Sequence, residues 1–160
     1  MATLAEITNK VNAAQQTQRF EKSFDLVRSF VAKANTADSV TIPLTNEGPF
    51  IMESMNIRHT SNSSYTGHSG QCFVKLKFRS QAAGCAMSSD YIPAQLIATP
   101  GAESSPRYGA RPFSYYFPKG DALIIEYDNR EPAQVNAETY TMANERIEIV
   151  ITGKIYPMND

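Results

Sequence analysis

Two stretches near the C-terminus alternate apolar and polar residues with period two, and they constrain the chain most tightly. In Ala122–Asp128, the residues Leu123, Ile125 and Tyr127 fall on one parity. In Arg146–Tyr156, Ile147, Ile149, Ile151 and Ile155 share one parity, while Glu148, Thr152 and Lys154 take the other. Successive side chains of a strand point to opposite faces of its sheet, so both runs read as half-buried strands. The outward parity of the last run carries no site, so contacts with partners are expected from the loops and the N-terminus.

The rest of the chain extends the same theme. Cys72, Val74, Leu76 and Phe78 alternate with Phe73, Lys75, Lys77 and Arg79, and Ser39–Leu44 is β-branched and extended. Residues 20–35 allow two readings. Phe20, Phe24, Val27 and Val31 fit a helix, whereas Phe24, Leu26 and Phe30 fit a strand in which Arg28 breaks the pattern. A strand over 23–32 paired with 38–45 is favoured. Phe50–His59 reads as a strand whose alternation fails at Glu53, the mark of a bulge. Asp90–Thr99 is a weaker strand that Pro93 places at an edge or a bend. Turn signals at Asn46–Pro49 and Pro118–Asp121 and polar loops over 60–70 and 100–112 separate these runs. About seven or eight strands in one domain's length of 160 residues predict an all-β fold, an antiparallel β-sandwich or jelly roll over 23–160. Residues 1–22 precede it as a short helix or arm.

That N-terminal segment carries Leu4, Ile7 and Val11 at helical spacing. So thin an apolar stripe needs a partner surface to be ordered. Arg107, Tyr108 and Arg111 lie in the long Pro-bounded loop, and Arg and Tyr are enriched at interfaces. The loop could equally pack on its own domain. These six residues are the candidate contacts.

Charge and composition remove several function classes. The net charge is −1 and the pI about 6.1, so no basic field draws nucleic acid or an anionic membrane. No apolar run approaches the ~20 residues of a membrane span. The start, MATLAEITNK, lacks the pattern of a signal peptide, which points to a soluble product of a cytosol. His59 and His68 flank a polar loop and read as exposed loop histidines without a third metal ligand. Asp121, Glu126, Asp128, Glu131, Glu138 and Glu145 gather near the C-terminal turns. A glycosidase needs two acids opposed across a cleft; these read instead as solvated acids at strand ends and on outward faces. A calcium turn at Asp128–Glu131 is opposed by its own Arg130. Lys75, Lys77 and Arg79 share a strand face that could track phosphates, but acids on neighbouring strands such as Glu126 are expected to balance it. Cys72 and Cys85 read as ordinary semi-buried thiols. No nucleophile elbow, P-loop or dinucleotide fingerprint occurs. The expectation is a protein that is not an enzyme and uses no cofactor and no metal.

One resemblance adds to this. An aromatic strand with Phe117, Pro118 and Gly120 precedes ALIIEYDN, ending in Asn129. ERIEIVITGKIY follows, with Arg146, Gly153 and Tyr156. This order, together with FDLVRSFVA, SVTIPLT and GPFIMESMNIRHT earlier in the chain, resembles small jelly-roll structural proteins of tailed bacteriophages over about residues 23–157. The resemblance implies a virion component, at the neck or collar, on the capsid surface or as a tail adaptor. Such a protein is made in the host bacterial cytoplasm and works as a symmetric oligomer. Its partners would be copies of itself and portal, capsid or tail proteins, not nucleic acid or membrane. The alternative is a carbohydrate- or receptor-binding jelly roll, with Tyr65, Tyr91, Tyr108 and Tyr115 as stacking candidates.

Overall fold

The computed structural model describes residues 2–10, 22–69, 73–82, 87–94, 111–133 and 137–157. Its strands are β1 (Lys22–Ala32), β2 (Ala37–Pro43), β3 (Phe50–Thr60), β4 (Ser64–Tyr65), β5 (His68–Ser69), β6 (Lys75–Ser80), β7 (Ile92–Pro93), β8 (Arg111–Phe117), β9 (Ala122–Asp128), β10 (Tyr140–Thr141) and β11 (Glu145–Ile155). A short helix spans residues 4–10. All pairings are antiparallel. One four-stranded sheet has the order β1-β11-β3-β8 and a second has β2-β9-β6-β7, while β10-β4-β5 make a small third sheet. In the two four-stranded sheets, β1, β2, β3 and β6 alternate between layers, β7 pairs beside β6, and β8, β9 and β11 alternate again, which is a jelly-roll sandwich.

The period-two runs build the two central strands. β11 has β1 on one side and β3 on the other, and Ile147, Ile149, Ile151 and Ile155 are all buried. β9 is central to the other sheet, with Leu123, Ile125 and Tyr127 buried. Met52, Met55, Ile57, Leu76 and Phe78 complete the core between the sheets. At one end Phe50 stacks with Phe117 and meets Phe24 edge-on, at centroid distances of 6.2 and 5.9 Å. At the other end Phe30 of β1 stacks on Tyr127 of β9, 6.0 Å away, so one aromatic pair bridges the two layers.

Residues 22–32 form a strand, not a helix, but their partner differs from the expected one. β1 pairs with β11 along its whole length, and β2 pairs with β9 in the opposite sheet. The connection from Ala32 to Ala37 crosses between layers instead of closing a hairpin. Asn35 takes the left-handed conformation there (φ 57°), and its N–H donates to the Asn129 carbonyl. The expected bulge is present: Thr152 faces Ser54 while Gly153 faces Met52, which leaves Glu53 as the extra residue. Pro93 sits on an edge strand, as anticipated, although β7 is only two residues long and residues 95–99 lie outside the described residues. Pro118–Asp121 is a turn in which the Asp121 N–H donates to the Pro118 carbonyl and Gly120 holds φ 78°.

The bulge explains Gly153. A Cβ there would overlap the Ile51 carbonyl oxygen and come within 2.6 Å of the Phe50 ring. Both neighbours belong to the packed core end, so neither can yield cheaply. Gly153→Ala is therefore expected to destabilise the domain by about 3 kcal/mol, read as a lowered urea midpoint with an unchanged m-value.

Candidate interaction surface

The outer face of the β1-β11-β3-β8 sheet is read off its register. Val27, Val150 and Asn56 form one cross-strand row, Ser29, Glu148 and Arg58 the next, then Val31, Arg146 and Thr60. Toward the opposite end lie Ser23, Lys154, Ile51 and Tyr116. The last strand's outward parity thus includes Val150, an apolar residue between Glu148 and Thr152. A groove of about 560 Å³ opens here, with Val27, Val150 and Asn56 lining it and Arg28, Arg58, Arg146 and Glu148 around them. Val27 is 63% exposed, and Val31 and Tyr116 are exposed as well. Glu148 accepts the Arg58 guanidinium (Nε to Oε2, 2.6 Å), and Arg146 Nη2 lies 3.4 Å from its other oxygen. One carboxylate therefore serves two arginines, and the groove carries an excess of positive charge. The outer face, expected to hold no site, presents an apolar stripe with a cationic border.

The N-terminal helix is the second uncovered element. Thr3 and Glu6 form a capping box: the Thr3 N–H donates to Glu6 Oε2 (2.9 Å) and the Glu6 N–H to Thr3 Oγ1 (3.3 Å). Leu4 is 81% and Ile7 49% exposed, and every residue from 2 to 10 is exposed. Seven helical residues are too few to be stable on propensity alone. Of the remaining candidate contacts, Val11, Arg107 and Tyr108 lie outside the described residues. Arg111 opens β8 opposite Met55, on the edge of the same sheet as the groove, and its side chain is outside the described part.

The chemistry-bearing residues are accounted for mostly as structure. Asp121 and Glu145 are buried, contrary to their reading as solvated acids. Each terminates backbone groups at a strand end. Asp121 Oδ1 accepts the Ala82 and Ala122 N–H groups at 2.7 Å, and its other oxygen accepts the Ser80 hydroxyl. Glu145 Oε1 accepts from the Ser61 hydroxyl (3.0 Å) and from both the N–H and the hydroxyl of Ser63. Asn129, also buried, donates to the Ala32 and Ala143 carbonyls at 3.0 Å, tying β9 to the far end of β1. The Asp128 carboxylate is filled by Arg130, bidentate at 3.0 and 2.9 Å, which holds its pKa below the usual carboxylate value. Arg79 pairs with Glu126 (3.8 Å), and Lys75 and Lys77 face Asp128 and Glu126 in the register, so acids of β9 offset the cationic strand face in part.

His59 differs from its expectation as an exposed loop residue. It lies on β3, half-buried, with Nδ1 sealed from solvent. Burial pushes its pKa below the usual histidine value, and the negative charge of Glu145 opposes that shift. His68 falls on β5, and its side chain, like Cys72 and Cys85, lies outside the described residues. Among the described residues no group of three His, Cys, Asp or Glu side chains is placed to hold a metal ion. None of their helices is long and apolar enough to cross a membrane.

Of the tyrosines that would stack on a sugar, the three among the described residues, Tyr65, Tyr91 and Tyr115, do not share a surface. Tyr65 packs with Phe73 and Tyr140, at centroid distances of 6.1 and 5.9 Å, under the small third sheet. Tyr115 lies against Phe117 and the core. Tyr91 stands on the other side of the sandwich beside Lys77. Tyr108 is outside the described residues. No family model matches the chain, and no curated protein matches it either.

His59 yields a pH prediction. Its folded-state pKa lies below the unfolded value of ~6.5, so below that pH the unfolded chain binds the proton first and stability falls. Above ~6.5 the histidine is neutral in both states and contributes no slope. His59→Gln should therefore flatten the loss of stability as pH is lowered from neutrality, measured as urea midpoints across a pH series. An identical slope in both proteins would assign the pH dependence to other groups.

Proposed function

We propose that the chain is a non-enzymatic structural subunit of a tailed-bacteriophage virion, assembling as a symmetric oligomer at the neck or collar or on the capsid. One observation carries this reading. A jelly-roll frame whose buried Asp121, Asn129 and Glu145 tie its own strand ends carries, exposed, Leu4 and Ile7 on a short capped helix and a valine stripe with a cationic border on one sheet face. Fold alone assigns no function, since jelly rolls serve viral capsids and lectins alike. The exposed apolar side chains Leu4, Ile7, Val27, Val31 and Tyr116 support a macromolecular partner for the helix and the sheet face. The mechanism is geometric: the sandwich is a rigid wedge, and the helix and outer face supply its contacts. The dispersed tyrosines favour this over sugar binding.

The direct test is a cryo-EM map of intact particles made by a host carrying the gene. Density for this jelly roll at the neck or on the capsid is expected. Particles that lack the chain, together with a purified protein that remains monomeric, would reject the proposal. A second expectation concerns the helix. Deleting residues 1–19 removes none of the core side chains among the described residues, so the melting temperature should hold within a few degrees while the sedimenting species becomes smaller.

A further inference from the structure

The four edges of the two large sheets are not alike. β2 ends in Pro43, β7 is two residues long and contains Pro93, and β8 has Pro112 as its second residue and an irregular register against β3. Proline, shortness and irregularity are how sheet edges are protected from pairing with another chain. β1 has none of these, and a single charge on its inward row, Arg28, is its one protective feature. It runs eleven residues, Lys22–Ala32, without proline or glycine, and its register against β11 is unbroken from end to end. Among the described residues no strand pairs with its free side. Its outward residues Val27 and Val31 are exposed, and Val27 also lines the groove.

We propose that the free edge of β1 pairs antiparallel with β1 of a second copy, joining two four-stranded sheets into one across a two-fold axis at Val27. This deepens the assembly reading and rests on it. The occupant follows from the strand's own sequence. The only antiparallel self-pairing that uses all eleven residues sets residue 22 against 32 and is centred on residue 27. It places Val27 against Val27, and Phe24 against Phe30 twice. Lys22 faces Ala32, Asp25 faces Ser29 and Arg28 faces Leu26, so no like charges are opposed. Shifting the centre by one residue to 28 would set Arg28 against Arg28. The Arg28 guanidinium, bonded to the Val27 carbonyl (2.8 Å), would lie diagonal to its symmetry mate on the inward face and not directly opposite it.

Only at the axis does a residue meet its own copy, and that gives a specific test. Val27→Lys and Val27→Glu each oppose like charges at the joint, on a side chain exposed enough to be replaced without harm to the core. Each variant alone should associate about tenfold more weakly than the wild type in sedimentation velocity. An equimolar mixture of the two should recover the wild-type association. As an independent readout, Val27→Cys in a background with Cys72→Ser and Cys85→Ser should cross-link to a covalent dimer under mild oxidation, and Val31→Cys in the same background should not. If the wild type associates but the single variants match it, or the mixture fails to recover, the edge pairing is wrong and the assembly reading stands. A wild-type chain that stays monomeric at the highest concentration reached overturns both.

Discussion

The inward isoleucine row of β11 is the contact on which the rest of the domain depends. Ile147, Ile149, Ile151 and Ile155 are buried in a strand that pairs along both sides. They pack within the same core as Leu123, Ile125 and Tyr127 of β9, the central strand of the other layer. Fully burying such side chains stabilises by roughly 1.5–3 kcal/mol each. β11 is also the last long element of the chain, so β1 and β3 find their common neighbour only once the C-terminal segment is in place. Nearly every long-range feature follows from that: the alternation of strands between layers, the bulge at Glu53 and the close approach at Gly153.

The polar groups inside the sandwich serve the same end. Asp121, Glu145 and Asn129 sit where strands leave a sheet, and each takes backbone groups that no ladder satisfies. Asp121 is satisfied at both carboxylate oxygens, whereas Asn129 Oδ1 and Glu145 Oε2 are buried with no hydrogen-bond partner among the described residues. The large apolar side chains that the frame leaves exposed are Leu4 and Ile7 on the helix of residues 4–10 and Val27, Val31 and Tyr116 on the outer face of the first sheet.

Much of the fold was legible from residue patterns. Alternation located β9 and β11 and the buried parity of β6, and the misplaced Glu53 marked the bulge. The helix-or-strand ambiguity of 20–35 had a physical origin. Phe24, Val27 and Val31 satisfy helical spacing because β1 is an edge strand with apolar residues on both faces, and Arg28 interrupts its inward row. The pairing of β1 was not legible, since local pattern says nothing about which sheet receives a strand more than a hundred residues from its partner. The burial of Asp121 and Glu145 was hidden for a similar reason: their partners, Ala82 and Ser63, are supplied by chain excursions from other strands. Of the candidate contacts, the exposed Leu4 and Ile7 stand as the helical spacing implied. The outer groove was not legible in the pattern because one valine, Val150, is a weak signal within an otherwise polar parity.

Hydrogen exchange of the full chain at low and high concentration tests the central claim most directly. Core strands such as β9 should exchange at the same rate in both. If the uncovered surfaces are contacts, amides of β1 and of residues 2–10 should slow as concentration rises. Equal exchange in those segments at every concentration, with the core strands protected throughout, would contradict the account.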